Sequence, residues 1–460
     1  MIQIGRLPRL TPVKVLLCAV LAVLASSAFG QTSAPARSYV LQDVRLIDGT
    51  GHAPLDHVSI VIRGGKITKI VNGRRVAQSE SAQVLNLSGK TVIPGIINGH
   101  GHLGLVEGTS VSPSNYTGLN IMRQLVQYED YGVTTIISLG LNKDLLYKMR
   151  SEQEKGNEPG ATILSAGRGI GVPDGMPPVK VGSDQLYRPA TPEQARAAVR
   201  EMATHSPDLI KIWVDDNMGK LPKMNPSVYT AVIDEAHRLN LRVAAHVFYL
   251  EDAKRLLQAG IDILAHSVRD QELDADTLSL LKSKQVYYIP TLQLEESFYI
   301  YAGHPDWMSS AFFQNALSGP LAKELDSDAY KNKVQKDPAT QAHHKALQVA
   351  MANVKKVHDA TAPIGFGTDS GANPYRIPGW AEHRELQLLV QAGLTPVEAI
   401  HCATQANARM LRLDEKTGTI QAGKQADLIV LNADPSADIS NTEKIEIIFH
   451  NGRQVQREKK

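Results

Sequence analysis

Cysteine is nearly absent. The 460 residues contain two, Cys18 and Cys402, and Cys18 falls in an N-terminal segment that reads as removable. A single remaining thiol excludes an intramolecular disulfide, so a chain of this length must rely on its buried core. A charge excess of either sign is missing as well. Charged residues make up 21% and the net charge is +2, which gives no reason to expect nucleic acid or an anionic surface as partner. Long apolar runs are missing too. The one candidate, residues 15–25, is too short to span a bilayer comfortably. It follows Arg6, Arg9 and Lys14 and precedes Ala28-Phe29-Gly30, the pattern of a secretory signal peptide cleaved after residue 30. The Leu-Leu before Cys18 is a poor match to a lipoprotein site, and a retained anchor is the alternative. The expected location is the periplasm or the outside of a bacterial cell, with no membrane span after signal removal. Also lacking is a glycine-rich phosphate turn after an early strand, which a doubly wound dinucleotide fold would call for.

What is present is a β-rich pattern at both ends and strand–helix alternation between them. From Tyr39 to Ile70 apolar and polar residues alternate, with turns at Asp48-Gly49 and Gly64-Gly65. Similar runs return at 427–431 and 445–449. Residues 31–90 and 415–460 are therefore expected to build one composite β-sandwich. In the middle, 91–414, strands are expected at 91–97, 133–138, 162–166, 209–214, 242–247, 261–265, 286–290 and 363–367. Helices are expected after the capping boxes Thr191-Pro192-Glu193-Gln194 and Thr395-Pro396-Val397-Glu398, after Asn225-Pro226, and over 251–259 with a stop at Gly260. Eight βα units over roughly 320 residues fit a (β/α)₈ barrel with insertions. A doubly wound open sheet is the competitor. Between Thr291 and His344 no helical period is evident, and Phe298, Tyr299, Tyr301, Trp307, Phe312, Phe313 and Tyr330 gather there. Such a connection is read either as a lid or substrate wall, or as a helical excursion on the barrel rim.

Barrel enzymes place their chemistry at the C-terminal ends of strands. Those ends carry His100 and His102, Lys211, His246, His266 and Asp369. Residues two apart on a strand share a side, so His-x-His presents two imidazoles together. Imidazole is the commonest zinc-type ligand, although His100 and His102 can equally be polar residues at a loop edge. His246 and His266 taken singly are each as well read as core histidines, and Asp369 as a helix cap. Four strand-end histidines on one barrel face are hard to attribute to chance. Lys211 lies between Ile210 and Ile212 on a central strand, where an ammonium ion needs a partner or neutralisation. It is either paired with Asp215 or Asp216, or it has reacted with carbon dioxide to give a carbamate able to bridge two cations. Arg168, Trp213, Phe248, Tyr249 and Glu295 lie near strand ends and are expected to line a substrate pocket.

The ordered set His-x-His, strand-four lysine, histidine, histidine, aspartate resembles the amidohydrolase superfamily. So do the opening Pro-Gly-Ile-Ile-Asn-Gly-His-Gly-His at 94–102 and the ending Thr-Gly-Thr-Ile-Gln-Ala-Gly-Lys-Gln-Ala-Asp-Leu at 417–428. The resemblance spans nearly the whole mature chain. It implies a distorted (β/α)₈ TIM barrel with a terminal β-sandwich. It also implies two divalent ions, best zinc: one held by His100, His102 and Asp369, the other by His246 and His266. An N6-carboxylated Lys211 and a hydroxide would bridge the pair. Within the superfamily the chain is similar to the imidazolonepropionase-like and Xaa-Pro dipeptidase-like group, where Ile-Lys-Ile also marks strand four. It departs from the dipeptidase-like members by following the lysine with Trp213-Val214-Asp215-Asp216 instead of a glycine-containing stretch. The implied reaction is hydrolysis of an amide, peptide-like or carbamate C–N bond in a small molecule, with Asp369 moving the proton. The alternatives are a lactone or phosphotriester hydrolase on the same metals, a mononuclear cyclic-amide hydrolase, and a non-catalytic relative. A homo-oligomer is compatible with all of these.

Overall fold

A computed structural model describes Met1, residues 37–74 and residues 82–457. The expected signal segment lies outside the described residues. No described helix is long and apolar enough to cross a membrane.

Both ends of the chain meet in one eight-stranded sheet. Its order is Arg453–Gln454, Ile445–His450, Leu428–Leu431, Thr91–Pro94, Ser38–Leu46, Leu55–Arg63 and Lys66–Asn72, and Ala82–Asn86 also pairs with Ser38–Leu46. Alternating β-branched residues supply its buried face: Val44, Val58, Ile60, Ile62, Ile67, Val92, Leu428 and Val430 pack as one apolar cluster. The expected strand 91–97 is in fact two strands. Thr91–Pro94 runs antiparallel to Leu428–Leu431 in the terminal sheet, and Ile96–Gly101 runs parallel to Val133–Ser138 in another. The break falls at Gly95, where a Cβ would stand 2.6 Å from the Thr134 methyl.

The middle is α/β. Ile96–Gly101, Val133–Ser138 and Thr162–Ser165 form a three-stranded parallel sheet; Ile210–Trp213, Val243–His246, Ile263–Ala265 and Tyr287–Ile289 form a four-stranded one. In both, strand order follows chain order, without the reversal a doubly wound sheet requires. The expected eighth strand, 363–367, is not a strand. Its neighbourhood contributes only the parallel bridges Tyr288↔Ile364 and Gly101↔Ser370, and Ile170↔Ile212 joins the segment that follows Thr162–Ser165 to the four-stranded sheet. Gly365 and Gly367 explain why. They let the segment press against its neighbours so closely that a Cβ on Gly367 would sit 2.6 Å from that of His100.

Helices begin where their caps stand. Thr395 and Glu398 form a complete capping box before Pro396–His401. Thr191 accepts from the Gln194 amide before Pro192–Ala203, but the Gln194 side chain accepts from Ala190 instead of closing the box. Helix Leu250–Ala259 ends on Gly260 at φ 93. The connection after Tyr287–Ile289 is helical: Leu292–Glu296, Ala311–Gln314, Gly319–Asp326, Asp328–Lys336 and then Ala339–Asp359. Of its aromatics, Tyr301, Trp307 and Phe313 meet one another and Trp380. Tyr301, Phe313 and Tyr330 are buried in an apolar cluster with Trp380, so the segment is a packed excursion and not a lid along its length.

Candidate metal centre

Ile96–Gly101 lies between Val133–Ser138 and the 364–370 segment. The His100 carbonyl accepts from the Thr368 and Asp369 amides (3.0 and 2.7 Å), and the His102 amide donates to the Ser370 carbonyl (2.7 Å). These bonds seat Asp369 in the left-handed region at φ 58, a conformation that persists only where its surroundings over-determine it. Its Oδ1 lies 3.2 Å from His100 Nε2 and 2.9 Å from His102 Nε2. Its Oδ2 accepts from Arg376 Nη1.

Lys211 sits on Ile210–Trp213, opposite Ala244 of Val243–His246. It is fully buried, and its Nζ has no hydrogen-bond partner among the described residues. The pairing with Asp215 or Asp216 is not formed. Asp215 instead takes His246 Nε2 at 2.9 Å, and Asp216 takes the Tyr249 hydroxyl at 2.8 Å. Burial pushes the Lys211 ammonium down from 10.5 to about 7, against the attraction of Asp369 and Asp215.

His246 ends its strand opposite Ala265, and His266 follows at φ 92. An ionised carboxylate can only accept, so the contact with Asp215 puts the proton of His246 on Nε2 and leaves Nδ1 as the free lone pair. His266 Nδ1 meets Thr291 Oγ1 at 2.7 Å, which leaves its Nε2 free. The rings run in series, with centroids 5.7 Å apart for His100–His102, 4.5 Å for His100–His266 and 4.4 Å for His246–His266. Burial, the largest cause in each case, holds His100, His246 and His266 below the ordinary imidazole value, the first and last well below. For Asp369 burial favours the neutral acid, but the Arg376 charge and the bonds to His100 and His102 outweigh it and hold the carboxyl well below its usual range. Neutral imidazoles around an ionised carboxylate are the protonation states a metal site needs.

The donor set fits divalent ions. Ligand atoms of His100, His266 and Asp369 all lie within 4.8 Å of one another. Two ligands each about 2 Å from a common ion at the tetrahedral angle stand roughly 3.3 Å apart, close to the His100–Asp369 and His102–Asp369 spacings above.

These groups open into a cavity of about 240 Å³. Its polar part holds His102, His246, Asp369, Arg269, Arg376 and Glu295; its apolar part holds Leu105, Val111, Met176, Met218, Phe248 and Phe298. Trp213 also lines it. Two of the expected pocket residues lie elsewhere. Arg168 pairs with Asp144 and Glu201 (3.2 and 3.4 Å), Tyr249 is held by Asp216, and neither lines the cavity. A larger hollow of about 600 Å³ among residues 304–326 shares none of these residues. Sequence reasoning missed Arg269, Arg376 and His343. Glu295 joins two of them, with Arg269 Nε at 3.1 Å and His343 Nδ1 at 2.7 Å. Arg269 follows His266 by only three residues, which was the one available signal.

A model of the amidohydrolase family matches residues 91–455. Ochratoxinase of Aspergillus niger is 28% identical over 269 residues, covering 56% of this chain and 48% of that protein, so the match spans about half the relative's length. Among solved structures, a Bifidobacterium longum protein assigned as a prolidase is 26% identical, covers 92% of this chain and 96% of its own, and superposes with a TM-score of 0.73. A Xaa-Pro dipeptidase with bound methionine in its active site is 23% identical, covers 91% and 100%, and also superposes with a TM-score of 0.73.

Proposed function

This chain belongs to the amidohydrolase family, and we propose that it is a secreted or periplasmic binuclear metal hydrolase that cleaves a C–N bond, an amide, peptide-like bond or carbamate, in a small molecule. The carrying observation is the convergence of His100, His102, His246, His266 and Asp369 around a buried Lys211 whose nitrogen has no hydrogen-bond partner among the described residues. In this reading the two parallel sheets are arcs of one distorted (β/α)₈ barrel over 91–414, which the three isolated bridges support. The terminal strands, from 31–90 and 415–460, are its β-sandwich. Residues 1–30 are the signal peptide.

His100, His102 and Asp369 would hold one ion, His246 and His266 the other, and a carboxylated Lys211 both. Zinc suits this His and carboxylate set, and manganese or cobalt are compatible with it. Bound divalent ions would supply hydroxide near neutral pH and polarise the scissile carbonyl. The chain's own residues do the rest. Asp215 fixes the tautomer of His246, and Thr291 orients His266. Asp369, kept ionised by Arg376, takes the proton at a carboxylate oxygen and delivers it to the departing amine nitrogen. Arg269 and Glu295 offer polar contacts, while Phe298, Phe248 and Trp213 exclude water. The ochratoxinase, prolidase and dipeptidase neighbours support C–N hydrolysis over lactone or phosphotriester chemistry.

One observation favours a second reading, a mononuclear centre: the tightest ligand group contains only His100, His266 and Asp369. Elemental analysis of protein saturated with zinc and bicarbonate separates the two, since the binuclear reading requires close to two equivalents per chain. A dipeptide and N-acyl-amino-acid panel on that protein tests the reaction, and activity confined to lactones or phosphotriesters overturns it.

A further inference from the structure

Helix Trp380–Gln391 carries two carboxylates, Glu382 and Glu385, that are fully buried. Three residues apart, they share one face of the helix. Neither lines the cavity, and neither has a cation within ion-pair distance among the described residues. Burying an uncompensated carboxylate is costly, and an apolar side chain would fill the space more cheaply. What each has instead is a donor on both carboxyl oxygens, and these donors lead to the proposed metal ligands.

Glu382 Oε1 accepts from Asn98 Nδ2 at 2.6 Å and from Thr368 Oγ1 and Ser370 Oγ at 2.7 Å each, and Oε2 accepts from the Gly379 amide at 2.7 Å. Each side-chain partner is one step from a ligand. Asn98 Oδ1 accepts from the His100 amide at 2.9 Å. Thr368 and Ser370 flank Asp369, and the Ser370 carbonyl accepts from the His102 amide. Glu385 accepts from the Leu292 and Gln293 amides at 2.8 and 2.7 Å. Those two amides follow Thr291, which is held left-handed at φ 48 with Oγ1 on His266 Nδ1.

We propose that Glu382 and Glu385 are positioning residues for the ligand set: Glu382 aligns His100, His102 and Asp369 through Asn98, Thr368 and Ser370, and Glu385 aligns His266 through Thr291. This rests on the metal-centre reading above and assigns the two halves of the centre to one rigid helix. Such outer partners typically change metal affinity by about 10- to 100-fold when altered. A purely structural role would instead appear in stability, with affinity unchanged once the variant is folded.

The test is zinc affinity, read by competition with a chromophoric chelator, for wild type, Glu385→Gln, Thr291→Val and the double variant. Glu385→Gln keeps shape but sets an NH₂ against one of two backbone donors. The expected result is a zinc dissociation constant raised about tenfold or more in Glu385→Gln. The double variant should be no weaker than Thr291→Val alone, because one residue acts through the other. Folded Glu385→Gln within twofold of wild type overturns the proposal, as does an additive double variant. Should Glu385→Gln not fold, Thr291→Val carries the test, and unchanged affinity there overturns the route to His266. The same measurement on Glu382→Gln should weaken zinc binding comparably, and unchanged affinity in that variant, once folded, overturns its half of the proposal. Wild-type protein that binds no zinc overturns the metal reading itself, a result distinct from any of these.

Discussion

Lys211 should carry a carbamate, a prediction that rests on its burial and its free nitrogen. Only the neutral amine reacts: its lone pair attacks the carbon of CO₂, a C–N bond forms, and an N–H proton leaves to solvent. A lysine at its ordinary 10.5 is about 0.1% neutral at pH 7.5. Burial brings Lys211 down to about 7, which makes roughly three-quarters of it neutral at that pH. With no hydrogen-bond partner on Nζ, the product is also where two more oxygens are needed. Two divalent ions close together repel strongly at low effective dielectric; a bare ammonium would worsen this, whereas a carbamate supplies a negative charge and two donor atoms. Protein loaded with zinc and ¹³C-bicarbonate should therefore take up one label per chain. Lys211→Ala should take up none and lose the paired metals. Losing several kcal/mol of charge stabilisation in the transition state corresponds to a rate loss of roughly 10³-fold or more, partly restored by acetate or propionate entering the vacated space. The reasoning fails if protein carrying two metals shows no label, or if Lys211→Ala is fully active without added acid.

Asp369→Asn should keep the fold and at least one metal but lose turnover by several orders of magnitude, because an amide cannot shuttle a proton; steady-state rates above about a tenth of wild type would rule out the proton-transfer role. His383 is buried against the Tyr131 carbonyl and Thr442, and burial lowers it from 6.5 to about 4. The unfolded chain therefore binds more protons between those values, and the stability present above pH 6.5 is lost as pH falls through about 4. The drop of about 2.5 pH units corresponds to about 3 kcal/mol. Urea melts at pH 7 and 4 should show stability falling by at least this much in wild type, and by correspondingly less in His383→Gln. Phe298→Ala should change relative rates across a substrate panel without changing metal content, since Phe298 lines the cavity and is not itself a proposed ligand. Excising 298–330, in contrast, should unfold the protein, because Tyr301 and Phe313 are fully buried there. A soluble, folded deletion variant would contradict that packing.

The candidate ligand residues stood out because they break local rules in ways that position alone exposes. A lysine between Ile210 and Ile212, and histidines that close apolar runs at 246 and 266, stand out against the strand pattern. The geometry brings these residues within reach of one another. The eighth strand was less legible for a physical reason. Gly365 and Gly367 leave room for His100 to approach, and that closeness leaves only isolated bridges where the pattern promised a strand. The aromatics at 298–330 looked like a wall because composition shows that they must be buried somewhere, but not against what. Most of them are buried against each other and Trp380.

What stayed hidden were charges that depend on partners distant in sequence. Arg376 completes Asp369 across seven residues, and Glu295 joins Arg269 to His343. Glu382 and Glu385 show the limit most clearly. Carboxylates are rarely buried without a cation, and nothing in Glu382-His383-Arg384-Glu385 marks the two glutamates as interior. In the fold Glu382 reaches 284 residues back to Asn98, and Glu385 reaches 93 back to Leu292. No periodicity encodes such contacts, because each is fixed by where the strand ends arrive. The proposed metal ligands can be read from one strand at a time; the groups proposed to hold them in place require all of the strands at once.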